Sequence, residues 1–153
     1  MQKALKDLPL QEITLRKYEE PMQNDLRELT RKFLLSIGLL NPGDSRDIII
    51  DIFYELLLAR NKRKFLQIED FENLLLKRQG ASKPNIRRQL RRLKELKLLE
   101  KAAEGYRIVE FASLKSLIER HINEFIIKPT MERLLQYADK LDSLQLGEKN
   151  QNE

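Results

Sequence analysis

Arg87, Arg88, Arg91 and Arg92 fall as two pairs about one helical turn apart in the run SKPNIRRQLRRLKEL, residues 82–96. A guanidinium keeps its charge at any physiological pH and offers planar, two-pronged hydrogen bonds, a geometry that phosphates and the O6/N7 edge of guanine accept. The chemistry of this run is therefore recognition of an anion. On a wheel of 100° per residue, Ile86, Leu90 and Leu93 lie within about 60° of one another, while Pro84, Arg88, Arg91 and Glu95 point the opposite way and Arg87 and Arg92 flank them. A helix that docks by an Ile/Leu stripe and presents arginines outward suits a nucleic-acid backbone. Charged helix faces ordinarily serve solubility alone, but here the charge is local. Residues 77–101 carry ten cations against Glu95 and Glu100, a balance of +8 in a chain whose total is +5, which leaves −3 for the remainder.

Other chemistries find little support. There is no cysteine and one histidine, His121, so disulfides, thiol redox chemistry and Cys- or His-built metal sites are not expected. Asp44, Asp47 and Asp51 recur at near-helical spacing, but no histidine or glycine-rich phosphate loop accompanies them, and they read as caps and a solvated stripe. Phe53, Tyr54, Phe65 and Phe71 read as core aromatics. No Walker loop, dinucleotide fingerprint or nucleophile elbow is present. Catalysis is not expected, and neither a cofactor nor a metal is called for. No apolar run approaches a membrane span or a signal peptide, so a cytoplasmic protein without membrane contact is expected.

The elements that must position the arginines follow from period and punctuation. Ser82 is a good N-cap and Pro84 sits in the first turn, where its missing donor costs nothing. Upstream, residues 1–20 read as an arm without a fold of its own. A helix is expected over 21–37, ended by Gly38, and a second over 45–60, capped by Asp44 or Ser45 and apolar over more than one face, hence central. KFLQ (64–67) reads as a single short strand. A third helix is expected over 68–79, closed by Gly80. After the cationic helix, LKLLEK and GYRIVEF read as two strands joined by AAEG, with Gly105 supplying the unusual dihedral. The tail from Ser113 is one long amphipathic pattern that Pro129 kinks or splits, and residues 147–153 read as frayed.

This order, carried by SKPNIRRQLRRLKELKLLEKAAEGYRIVE, resembles the winged helix-turn-helix DNA-binding transcription regulators of archaea and bacteria over about residues 45–111. The matching positions are Ser82 at the helix start, Ile86, Arg87 with Arg88, and Leu90 with Leu93. The resemblance implies a mainly α fold with a small β-hairpin, in which 68–79 positions and 82–96 enters the major groove of double-stranded DNA. Asn85, Arg87 and Arg88 would then face base edges, and Arg91 and Arg92 phosphates. Ser82, Lys83 and the helix N-terminal amides would add phosphate contacts, and Lys62, Arg63 and Lys64 would extend the track. The hairpin tip, residues 102–105, carries no cation, so minor-groove insertion is not expected, though Lys101 and Arg107 on its strands can touch the backbone. A wing of this kind can pack on its own protein, which keeps open a winged-helix protein-interaction module or a non-specific architectural binder. RNA binding lacks its usual aromatic strand motif.

The expected organisation is an N-terminal arm and helix (1–44), a winged helix-turn-helix domain (45–111) and a C-terminal amphipathic extension (112–146). The extension's stripe, from Leu114 and Leu117 through Phe125 to Leu134 and Leu141, is too long for so small a core to cover. Pairing of these helices across a two-fold axis would give a homodimer with recognition helices about 34 Å apart, matching a palindromic site. The competing expectation is that the tail folds back on its own domain.

Overall fold

A computed structural model describes residues 6–44 and 47–152, with side chains described through Leu144. The chain is mainly helical with one two-stranded antiparallel hairpin. Its centre is α2 (Ile48–Asn61), which is capped by Asp47 and buries nine of its fourteen residues. The cap is neither of the expected residues: Asp47 Oδ1 accepts the Ile49 N–H at 3.0 Å, and Ser45 lies outside the described residues. Burial on several faces makes α2 the post on which the other elements lean, as a sequence apolar over more than one face dictates.

Helix α1 (Leu26–Ser36) begins five residues later than its apolar pattern suggests, because Asp25 accepts the N–H groups of Arg27 and Glu28 and fixes the start there. It packs on α2 through buried Leu34 and Leu35, and Phe33 stacks on Phe53 at 5.6 Å. Gly38 ends it at φ +79, and Leu39 donates back to Leu34 O at 2.9 Å. The arm before α1 is extended and docked. Arg16 donates from its backbone to Ser36 O, and from its guanidinium to Leu35 O and Leu40 O, at 2.8–3.1 Å. The acceptors are carbonyls at and just beyond the helix C-terminus, the groups a helix leaves without partners of its own.

Helix α3 (Ile68–Leu74) is shorter than the 68–79 pattern. Phe71 and Leu75 are buried, but Leu74 and Leu76 are exposed and Lys77 adopts φ +68, so the chain leaves the helix before Gly80. Helix α4 (Lys83–Glu95) starts where the sequence places it, capped by Ser82. Strands β1 (Leu99–Ala102) and β2 (Gly105–Ile108) pair in register Leu99–Ile108 to Ala102–Gly105. The expected KFLQ strand is reduced to one bridge: Leu66 exchanges backbone hydrogen bonds with Tyr106 at 2.8 and 2.9 Å. Gly105 is required at that junction, since it sits at φ +134 and a Cβ there would come within 2.7 Å of Leu66 O.

After a 3-10 turn (Val109–Phe111), α5 (Leu114–Leu117), a π-helical segment (Ile118–Ile127) and α6 (Lys128–Asn152) form one continuous helical run. Pro129 neither splits the run nor ends it. In α geometry its ring would collide with the Phe125 carbonyl and leave that oxygen without a donor. The wider turn ahead of it, with Lys128 N–H bonded to Asn123 O, relieves the collision, and Gln11 of the arm donates to Phe125 O at 2.8 Å. Leu117, Ile122 and Ile126 are buried, so the first half of the tail does fold back on the domain. Residues 131–144 are all exposed, and the helix continues to Asn152 instead of fraying from Gly147. Among the described residues no helix is long and apolar enough to cross a membrane.

Candidate nucleic-acid interface

Three fully buried side chains, Ile86, Leu90 and Leu93, anchor α4 against α2, α3 and β1. Truncating any one to alanine costs about 2–5 kcal/mol by the usual cavity arithmetic. Their burial turns Arg87, Arg88, Arg91 and Lys94 outward. All four are exposed, and none has an ion pair among the described residues. Lys94 entered the sequence reading only as a unit of charge; its helical position places it with the arginines.

The start of α4 is tied twice. Ser82 Oγ accepts the Asn85 N–H at 3.4 Å, and Asn85 Nδ2 donates to Gly80 O at 2.7 Å, cinching the turn that enters the helix. Asn85 Oδ1 in turn accepts from Gln89 at 3.1 Å, Gln89 Oε1 accepts from Arg92 at 2.7 Å, and Arg92 donates to Leu39 O at 2.7 Å. This chain runs down one side of α4 and ends on the loop after α1. Gln89 is buried, and with both partners it is satisfied at each end. The sequence carried a signal for it: a polar residue at the edge of the Ile/Leu stripe, four residues after Asn85 and three before Arg92.

Arg92 is thus corrected from an outward phosphate contact to a strut, and Asn85 spends its amide on the turn. Lys83 is exposed but faces Glu72 at 3.6 Å. Arg107 is corrected more strongly. Its guanidinium lies 4.9 Å from the Phe65 ring centroid and 4.7 Å from that of Phe111, with Nε 3.5 Å from Glu100, so it fastens the base of the hairpin. Lys101 remains exposed, its ammonium 5.6 Å from the Tyr106 ring. The hairpin tip is pinned to the start of α3, where Gln67 Nε2 donates to Glu104 O at 2.8 Å. Lys62, Arg63 and Lys64 are exposed at the end of α2, with Arg63 in the left-handed region.

Of the three aspartates, Asp44 is exposed and Asp47 caps α2, but Asp51 is not part of a solvated stripe. Asp51 is buried and paired with Arg27 of α1 and, at 3.9 Å, with Arg78 in the turn before α4. Asp51 thereby joins three segments; because Arg27 and Arg78 are both substantially exposed, losing either one costs less than breaking a fully buried pair. Burial, with Asp51 one turn away, raises the Glu55 carboxyl above its ordinary value. That shift opposes folding once Glu55 ionises, and the opposition disappears as pH falls below the unfolded carboxyl range. His121 is half-buried, 6.1 Å from the Phe125 ring. No cluster of three metal-binding side chains occurs among the described residues. No known family model matches the chain, and neither a characterised protein nor a solved structure does.

Proposed function

We propose that the protein is a winged helix-turn-helix regulator of transcription that binds double-stranded DNA sequence-specifically, with α4 in the major groove. The observation that carries the reading is the outer face of α4, where Arg87, Arg88, Arg91 and Lys94 stand exposed and unpaired among the described residues while the opposite face is sealed in the core. The order α2, Leu66 bridge, α3, tight turn, α4 and hairpin supports the fold assignment. The groove admits one helix, and arginines near its N-terminal half reach base edges while those further along reach phosphates. The role is binding without catalysis, in the cytoplasm, by a homodimer formed through the C-terminal helix.

A second reading, a protein-interaction module, is favoured by exposed Leu74 and Leu76 next to the turn and by the pinned hairpin tip. Selection of duplexes from a random pool at moderate salt separates the two. An enriched palindrome is the expected result. Salt-sensitive retention without enrichment would make the protein an architectural binder, and no retention would transfer the assignment to a protein partner.

A further inference from the structure

The fold leaves the apolar face of α6 uncovered along its described length. Met131, Leu134, Leu135, Tyr137, Leu141 and Leu144 are each 52–67% exposed. At 100° per residue, these six and Ala138 spread over about half the circumference of the helix, with Asp142 inside that arc near its Met131–Leu135 edge and Glu132, Gln136, Lys140 and Ser143 on the other half. A two-stranded seam uses only a narrow stripe of a and d positions. One partner helix alone would leave the flanks of this face wet.

A second surface adjoins it. At the base of α6 a groove of about 580 Å³ runs between the arm, with Leu8, Pro9 and Leu10 on one wall, and Pro129, Leu134 and Tyr137 on the other. The arm is held there by Gln11 on Phe125 O and by Arg16 on the end of α1. Yet it holds Leu10 95% and Leu8 62% exposed.

We propose that the face and the groove are one interface between two copies of this chain. The α6 helices pair antiparallel about a two-fold axis, crossing near Ala138, whose small side chain lets the backbones approach. The distal part of each helix, with Leu141 and Leu144, seats in the groove between the other copy's arm and helix base. Only the antiparallel sense brings an uncovered tip to an unfilled base. The contact is isologous and closes on itself. The apolar side chains it covers present area on the order of the ~800 Å² per partner that specific interfaces bury. This placement rests on the homodimer reading and specifies which surfaces close it.

The chain has no cysteine, so introduced thiols report cleanly. Full-length Leu10→Cys, Leu141→Cys, Leu144→Cys and, as an opposite-face control, Glu132→Cys are prepared separately, and Leu10→Cys is mixed with each under mild oxidation. A disulfide demands Cα atoms within about 7 Å. The expected result is a cross-linked heterodimer with Leu141→Cys or Leu144→Cys, at least tenfold above the yield with Glu132→Cys. Equal yields, with the wild-type chain sedimenting as a dimer, would overturn the arm-groove seat and leave the dimer standing. A wild-type monomer at tens of micromolar would overturn both. Neither result bears on duplex binding by α4.

Discussion

Arg87, Arg88 and Arg91 differ from Arg92 and Arg107 in what their guanidiniums already hold. The first three are exposed without an ion pair among the described residues, whereas Arg92 is spent on Gln89 and Leu39 O, and Arg107 packs against an edge-on pair of phenylalanine rings. Identical residue types therefore do different work: on α4 the angle around the helix and the neighbours at that angle decide which, and on β2 the packed phenylalanines do. Arg92→Ala should leave the Gln89 oxygen and the Leu39 carbonyl short of a donor and cost about 1–3 kcal/mol, while Arg91→Ala should fall within about 0.5 kcal/mol of wild type. Urea unfolding of the two variants reads the difference, and equal midpoints would refute the strut assignment. The stripe and cap of α4 were legible in the sequence because they obey a helical period. The ends of the Arg92 and Arg107 commitments were not, because their partners Leu39 and Phe65 come from other elements.

Helix boundaries show the same division. Ser82 capping α4, and Gly38 after α1, are local chemistry and stand where the residues place them. The early end of α3 is set by tertiary demand, since the turn must deliver Arg78 towards Asp51 and Gly80 O to Asn85. At the end of α4, Leu98 donates to Leu93 O and Lys97 to Lys94 O, a closing turn that puts Lys97 at φ +64. A side chain in that conformation is strained and glycine is not. Lys97→Gly should accordingly stabilise the protein by about 0.5–1 kcal/mol, seen as a raised midpoint in thermal or urea unfolding; a lowered midpoint would contradict the motif. The tail was legible only in part. Pro129 argues for a kink or a split near Lys128; the helix type does change there, but the chain stays helical by widening into π turns and borrowing Gln11 to serve the Phe125 carbonyl. Periodicity sees the stripe but not a contact with an arm more than a hundred residues away.

The whole chain divides its labour by charge and apolarity. Basic charge collects on α4, and uncovered apolar area collects on α6 and the arm. The mainly helical fold with a hairpin was legible because α2 is apolar on several faces and the hairpin has its glycine. The outcome for the tail lay between the two expectations: its first half docks and its second half stands free. Under the proposed function, a dimer closed by α6 would present two copies of the α4 face to one duplex. The most direct measurement is titration of a duplex at several salt concentrations with the wild-type chain, Arg92→Ala, and the triple variant Arg87→Ala, Arg88→Ala, Arg91→Ala. Each phosphate contact releases counterions and contributes about −0.9 to the slope of log Kobs against log salt. The triple variant should bind far more weakly with a slope shallower by roughly 2, while Arg92→Ala keeps the wild-type slope. A triple variant that binds with unchanged affinity and slope would show that α4 does not carry the interaction.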